Sequence, residues 1–121
     1  MKIGIGNDHS ALELKAEIIE LLKEKGHEVV DYGTNSPESC DYPVYGEKVG
    51  RAVASGEVER GILICGTGLG VSIAANKVKG AYAALLSDVY SAKRARLSND
   101  ANIACMGSFT IGNKVREELT D

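Results

Sequence analysis

The sequence predicts a doubly wound α/β fold in which one mainly parallel, five-stranded sheet carries helices on both faces, within a single domain. Three observations support this. Short apolar runs alternate along the chain with segments whose apolar residues have helical spacing. The segments that join them are short, which favours right-handed crossovers between parallel strands. The chain has 121 residues, a length typical of one domain.

The alternation predicts five strands and five helices. The strands are expected at Lys2–Gly6, His27–Tyr32, Gly61–Cys65, Ala81–Leu86 and Ile103–Met106. The helices are expected at Ala11–Lys25, Val44–Ser55, Val71–Lys77, Asp88–Leu97 and Thr110–Leu119. The third strand is the most apolar, and strands covered on both faces have near-continuous apolar runs. We therefore expect it at the centre of the sheet.

The first helix has the clearest boundaries. Its apolar residues recur every three or four positions, at Leu14, Ile18, Leu21 and Leu22. Ser10 is predicted to cap its start, with Glu13 completing a capping box, and Gly26 to end it. The loop at 33–43 is rich in Gly, Asn, Ser and Pro, which separates the second strand from the second helix.

Composition excludes several classes of function. The net charge is −3 with no basic stripe, and one Phe and no Trp leave few platforms for base stacking, so nucleic-acid binding is disfavoured. The chain has no run of ~18 apolar residues, so no membrane span is predicted. The first residues turn polar too early for a signal peptide, which predicts a cytoplasmic protein. Cys40, Cys65 and Cys105 should then be reduced thiols, and their spacing matches no metal site.

Polar clusters mark the functional edge of the predicted sheet. Sheets of this kind bind ligands outside the carboxyl ends of their strands. Asp8-His9 follows the first strand, Asp41-Tyr42 follows the second, and Cys65–Gly70 begins at the end of the third. Ser98-Asn99 precedes the fifth strand and so belongs to the opposite edge. We expect that pair to serve the pocket of a neighbouring subunit.

The glycine loop was compared with known phosphate-binding motifs. Gly66, Gly68 and Gly70 give G-x-G-x-G after the third strand, whereas the dinucleotide fingerprint is G-x-G-x-x-G after the first. Asp88 does lie about 20 residues further on, where that motif has its ribose-binding acid, so the interpretation stays open. The Walker A motif is excluded, because Gly70-Val71-Ser72 lacks its lysine.

Physical chemistry gives the loop a second interpretation. Alternate glycines let a backbone turn its N–H groups inward, and a helix N-terminus adds partial positive charge. Such surroundings favour the thiolate form of a cysteine. Cys65 is therefore a candidate base beside an anion-stabilising loop, as proton abstraction next to a carbonyl requires. The alternative is that Cys65 is a small core residue.

The other clusters have two interpretations each. His9 could bind phosphate or move a proton, and Asp8 could hold a hydroxyl or only cap a helix. Tyr42 could donate to a polyol or belong to a simple turn. Asn99 could bind substrate oxygens or end a helix. A phosphoacceptor aspartate is disfavoured, because the position after the third strand is a cysteine.

Several stretches together carry a resemblance over residues 3 to about 112. They are IGNDHSALELK, VVDYGT, DYPVY, GILICGTGLGVSIAANK and SNDANI, with MGS after the last. In this order they resemble the type B ribose-5-phosphate isomerases and their relatives, the galactose-6-phosphate isomerase subunits and allose-6-phosphate isomerases. The third-strand stretch is the most specific of the five.

The resemblance implies a Rossmann-like enzyme without metal or cofactor that acts as a homodimer or tetramer with shared pockets. It implies interconversion of ribose 5-phosphate and ribulose 5-phosphate through an enediolate, or of a hexose 6-phosphate. Cys65 would be the base, and Gly66, Thr67, Gly68, Leu69 and Gly70 would form the anion hole, with Thr67 assisting. Asp8, His9 and Tyr42 would contact the substrate, and Asn99 would do so from the other subunit.

This chain departs from the resembled pattern at three places. Ser98 stands where many members carry the histidine that opens the sugar ring, which leaves His9, a water relay through Ser98, or spontaneous opening. Phe109 stands where many carry a phosphate-binding arginine. We also expect the C-terminal helix of the family to be missing. The rival class of function is a non-catalytic module that binds a nucleotide or another small ligand.

Overall fold

The computed structural model describes residues 1–36, 38, 42–111 and 119–120. This part of the chain contains the strands β1 (Lys2–Asn7), β2 (Glu28–Asp31), β3 (Arg60–Cys65), β4 (Ala83–Leu85) and β5 (Ile103–Gly107). It contains the helices α1 (Leu12–Glu24), α2 (Tyr42–Ala54), α3 (Leu69–Asn76) and α4 (Val89–Asn99), with a 3₁₀ turn (His9–Ala11) before α1. Within these ranges, every helix is too short or too polar to cross a membrane.

The five strands form one sheet in the order β2-β1-β3-β5-β4. Each neighbouring pair is parallel, with Ile5 beside Ile62 between β1 and β3 and Leu63 beside Cys105 between β3 and β5. The predicted doubly wound sheet is confirmed, and β3 lies at its centre as expected. The carboxyl ends of β1, β3 and β5 therefore lie side by side at one edge.

Alternate residues of the central strands supply two separate cores. On one face Ile5, Ile62 and Ile64 pack against α1, with alanines of α4 at the margin. On the other face Leu63 and Cys105 pack against α2 and α3. Because successive side chains of a strand point to opposite faces, one short apolar run fills both cores. This accounts for the unbroken apolar sequence of β3.

Glycines on the second face let α2 approach the sheet closely. A Cβ built on Gly61 would lie 2.7 Å from Val49 Cγ1, and one on Gly6 would lie 2.8 Å from Val49 Cγ2. The same helix also approaches α3, since a Cβ on Gly46 would lie 2.8 Å from the Cβ of Ala74. At these glycines, α2 and its neighbours therefore pack directly against main-chain atoms.

Helix α4 is held much more loosely than the others. None of its residues is fully buried, and Tyr90 and Leu97 are 75% and 74% exposed. Asp88 caps its start, because the carboxylate Oδ1 accepts a hydrogen bond from the Ser91 amide at 2.7 Å. The helix ends at Asp100, whose φ of 53° lies in the left-handed region.

Two predictions about element boundaries are wrong. Ser10 does not cap α1, because the chain first makes the 3₁₀ turn, and the carboxylate of Asp8 caps that turn instead. Tyr42 is not in a loop but is the first residue of α2, where Pro43 suits the first helical turn because no N–H is needed there. Gly26 ends α1 with a φ of +86°, as predicted.

The predicted helix at 110–119 falls mostly outside the described residues. So do Cys40 and Asp41, which the sequence assigned to the loop before Tyr42.

We predict that Gly61→Ala destabilises the protein by about 1–3 kcal/mol, because the new methyl group overpacks the layer between β3 and α2. A Val49→Ala background removes the closest of its contacts, while Ile103 and Val53 stay at 3.1 Å from the added Cβ. The double variant should therefore be more stable than the sum of the two single effects, as urea unfolding with an unchanged m-value would measure. If the two single effects on the free energy of unfolding simply add, the close approach of α2 to Gly61 is contradicted.

Candidate active site

Three chain segments meet at the carboxyl edge of the sheet. The amide of Asp8, just after β1, donates to the carbonyl of Ile64 at 3.1 Å. The amide of Ser108, just after β5, donates to the carbonyl of Cys65 at 2.9 Å. The end of β3 is therefore held on both sides by its neighbours. This is the edge at which open α/β sheets bind ligands.

The glycine loop turns back over the end of β3 and leads into α3. Gly68 has a φ of +82°, which L side chains rarely adopt. A Cβ there would also lie 2.6 Å from Leu85 Cδ1 and 2.9 Å from the carbonyl carbon of Met106. Only glycine fits this position, both for conformation and for space.

The turn directs a backbone amide at the candidate base. The N–H of Gly68 donates to Sγ of Cys65, with 3.1 Å between nitrogen and sulfur. The sulfur therefore accepts a backbone hydrogen bond at the N-terminal end of α3. The sequence predicted several loop amides turned toward the thiol, and the structure gives this contact for the amide of Gly68.

A second thiol lies on the same face of the sheet. Cys105 is on β5, beside Leu63, and is fully buried. Cys65, at the end of its strand, is also buried, with 6% of its surface exposed, and belongs to the same core cluster. Both are free thiols. Burial raises the pKa of Cys105 well above the usual range for a thiol, and the nearby charge of Cys65 raises it further. Cys105 is therefore a neutral core residue, as the sequence suggested.

Thr67 stiffens the loop from within. Its hydroxyl oxygen accepts a hydrogen bond from the amide of Leu69, the first residue of α3, at 3.2 Å. The end of β5 packs closely against Thr67, since a Cβ on Gly107 would lie 2.7 Å from Cα of Thr67. These contacts hold the loop in one shape.

Tyr42 reaches the glycine loop from α2. Its ring lies against Gly70, where an added Cβ would approach ring carbon Cε1 to 2.5 Å. The side chain is nevertheless exposed. The structure thus brings Tyr42 to the loop that follows Cys65, although the sequence placed it in a different kind of element.

Asp8 and His9 lie beside the loop on its other side. Oδ1 of Asp8 accepts hydrogen bonds from the amide of Ser10 at 3.0 Å and from its hydroxyl at 2.6 Å. His9 begins the 3₁₀ turn and is partly buried. A Cβ on Gly66 would lie 3.7 Å from Oγ of Ser10, so this turn packs against the loop.

Ser98 and Asn99 are the last two residues of α4 and are exposed. The chain then enters β5 from its amino end, where the amide of Gly61 donates to the carbonyl of Asn102 at 3.0 Å. The pair therefore lies at the edge opposite Cys65, as the sequence predicted. Arg94 donates a hydrogen bond to the hydroxyl oxygen of Ser98.

The dinucleotide interpretation loses its support. The amide of Ser91 donates to Asp88, which lowers the pKa of this exposed carboxyl group below its usual value, so its role is to cap α4. Among the described residues, no three His, Cys, Asp or Glu side chains group as a metal site would require.

The segment after β5 was not among the polar clusters that the sequence assigned to this edge, and it entered only through the resemblance. Phe109 is 77% exposed, its amide donates to the carbonyl of Gly66 at 3.0 Å, and its ring covers the same glycine. The hydroxyl of Ser108 donates to the carbonyl of Ser10 at 3.2 Å. Their position in the sequence could have indicated a place at this edge, because these residues follow a strand just as Asp8 and Gly66 do.

A family model, a relative in sequence and a solved structure all match this chain over nearly its whole length. The family model for ribose/galactose isomerases matches residues 3–121. Ribose-5-phosphate isomerase B of Escherichia coli strain K12 is 49% identical over 120 residues, which cover 99% of this chain and 80% of that protein. A ribose-5-phosphate isomerase B structure from Clostridium thermocellum is 53% identical with a TM-score of 0.98, over 100% of this chain and 82% of that one.

A further structure contains a ligand. Ribose-5-phosphate isomerase B from Mycoplasma genitalium, with bound ribulose-5-phosphate, is 41% identical with a TM-score of 0.95. The match covers 99% of this chain and 80% of that one.

Proposed function

The chain belongs to the ribose/galactose isomerase family, and we propose on this basis that Cys65 and the glycine loop carry out its chemistry. It is an aldose–ketose isomerase that interconverts ribose 5-phosphate and ribulose 5-phosphate. The observation that carries the mechanism is the hydrogen bond from the Gly68 amide to the sulfur of Cys65. This bond supports the sulfur as the base at the edge of the sheet where Asp8 and Tyr42 also lie.

In the proposed reaction the thiolate of Cys65 takes the proton from C2 of the open-chain aldose. The electron pair moves into the C1–C2 bond, and negative charge develops on O1. N–H groups of the loop at 66–70 stabilise this enediolate, as an oxyanion hole does. The thiol then returns the proton to C1, while the O2 proton is transferred to O1. One carbon-bound and one oxygen-bound proton have moved, and no electrons leave the substrate.

The remaining site residues are assigned to binding. Asp8 and His9 lie on one side of the loop and Tyr42 on the other, so a sugar phosphate between them contacts all three. Asp8 and Tyr42 bind hydroxyl groups, and His9 binds phosphate or moves a proton to the ring oxygen. Thr67 holds the loop in shape through its bond to the Leu69 amide.

Ser98 and Asn99 are assigned to the pocket of a second copy of the chain. Exposed apolar side chains support this, because apolar surface left exposed marks interfaces. Tyr90 and Leu97 lie on α4, which carries the pair, and Leu69 and Ile73 lie on α3, on the other face of the sheet. Arg94 donates to the Ser98 oxygen, which leaves the serine its own proton to donate and favours its release through a water to the ring oxygen. We also place the enzyme in the cytoplasm, where reduced thiols persist.

We predict that Cys65→Ala lowers kcat for ribose 5-phosphate by about 10²–10⁴-fold, because it removes the general base. Cys105→Ala is the matched control, since it removes a neighbouring thiol of the same face that takes no part in the reaction. That variant should keep near wild-type kcat. Comparable losses in both variants, or near wild-type turnover by Cys65→Ala, would show that Cys65 is not the base.

We predict that isomerisation in D₂O introduces deuterium at C2 of ribose 5-phosphate formed from ribulose 5-phosphate. The proton passes through a thiol, which exchanges with solvent. Proton NMR of the product measures the loss of the C2 signal. Product free of deuterium after many turnovers would instead indicate a direct hydride shift.

We predict that Cys65→Ala and Asn99→Ala, each nearly inactive alone, regain about a quarter of wild-type activity when equal amounts are unfolded, mixed and refolded together. In a mixed dimer, one of the two pockets takes Cys65 from one chain and Asn99 from the other. Each variant refolded alone is the control. Activity in the mixture no higher than in these controls would argue against a shared pocket.

A further inference from the structure

A buried lysine lies outside the proposed mechanism. Lys15 is 4% exposed and occupies a place on the apolar stripe of α1, between Leu14 and Ile18, which pack on the sheet. Burial of an ammonium group is costly unless its charge and protons are matched by partners. A lysine at this buried position is therefore compatible with a stable fold only if its partners offset the cost of burying the charge.

Three acceptors surround the Lys15 ammonium group. Nζ donates to the carbonyl oxygen of Thr34 at 2.7 Å and to Oδ1 of Asn35 at 2.7 Å. It also forms an ion pair with Oδ2 of Asp31 at 3.0 Å. All three partners lie at the end of β2 or directly after it. An ammonium group has three protons on one nitrogen and can serve three acceptors around a point, which a planar guanidinium group cannot.

The same carbonyl connects Lys15 to the active edge. Thr34 O also accepts a hydrogen bond from Nδ2 of Asn7 at 3.1 Å, and that nitrogen donates to the carbonyl of Asp8 at 2.9 Å. Asn7 is fully buried. Gly33 is pressed against it, since an added Cβ would lie 1.9 Å from Oδ1 of Asn7. The contacts therefore run without a gap from α1 through the loop to the backbone of Asp8.

We propose that Lys15 is a positioning residue for the isomerisation. Its ammonium group holds the Thr34 carbonyl in the place where Asn7 bonds to it, and Asn7 in turn orients the backbone of Asp8 at the substrate. The inference rests on the proposed function, because it assigns Asp8 to the pocket. Without Lys15 the chain still folds, but Asp8 is displaced from its place beside the glycine loop.

The first test compares Lys15→Met with Lys23→Met, which removes an exposed lysine from the same helix. Both are assayed well below their melting temperatures. We expect Lys15→Met to lower kcat/KM for ribose 5-phosphate by about tenfold or more through a higher KM, because small displacements at a site are costly. Lys23→Met should stay within about twofold of wild type. Unchanged constants for folded Lys15→Met would overturn the proposal.

A double-mutant cycle separates positioning from plain stabilisation. Asp8→Asn keeps a side-chain acceptor for the Ser10 amide and alters the group that Lys15 is proposed to position. If Lys15 acts through Asp8, adding Lys15→Met to Asp8→Asn should lower kcat/KM by less than about twofold. Multiplicative effects of the two substitutions would overturn the proposal. Lys15→Arg, which keeps the charge but not the geometry, should give a KM between those of wild type and Lys15→Met.

Asn35→Ala covers the case in which Lys15→Met does not fold. Asn35 is exposed, so its truncation leaves the core intact while removing one of the three acceptors. We expect KM to rise about threefold with kcat retained, in line with the modest net value of one hydrogen bond lost at an exposed acceptor. An unchanged KM would overturn the proposal. If wild-type protein does not isomerise ribose 5-phosphate, the proposed function fails, whereas active wild type with unaffected variants refutes only the role of Lys15.

Discussion

The hydrogen bond from the Gly68 amide to the sulfur of Cys65 is the contact on which the site depends. For it to form, the chain must reverse directly after β3 and lie close to Leu85 and the backbone of Met106, in a left-handed conformation that excludes any side chain. The segment after β5 secures the start of the reversal, because the amides of Ser108 and Phe109 bond to the carbonyls of Cys65 and Gly66. In the proposed mechanism the surroundings of the thiol are thus set by backbone, and the sheet holds that backbone in place.

Close approach to glycine recurs throughout the molecule. Tyr42 lies on Gly70, Phe109 lies on Gly66, and Val49 lies on Gly61. In each case the missing Cβ allows a side chain from another element to touch the main chain directly. The wall of the site is therefore assembled from side chains of several elements that meet the main chain of the glycine loop, with α2 and the segment after β5 on either side.

Much of this arrangement follows from the sequence. Periodicity was sufficient for the five strands and for the first four helices, while the helix expected at 110–119 stays a prediction. The apolar run ending in Cys65 and three alternate glycines located the central strand and its edge. The capping of α1 was not predictable in the same way, because Ser10 and Asp8 are both good caps and the intervening 3₁₀ turn decides between them. Lys15 carried a weak signal, a charged residue on an apolar stripe, but its partners lie up to 20 residues away and only the folded sheet brings them together.

Cys105 has a consequence that reaches beyond packing. Its thiol stays protonated in the folded chain because burial raises its pKa, whereas in the unfolded chain it ionises near pH 8.5, the ordinary value for cysteine. The folded-state pKa is the higher of the two. The contribution of this thiol to the free energy of unfolding is therefore complete below about pH 8.5 and declines as the pH rises further. Part of the loss of folding stability at alkaline pH is therefore expected to come from a buried sulfur atom outside the proposed site.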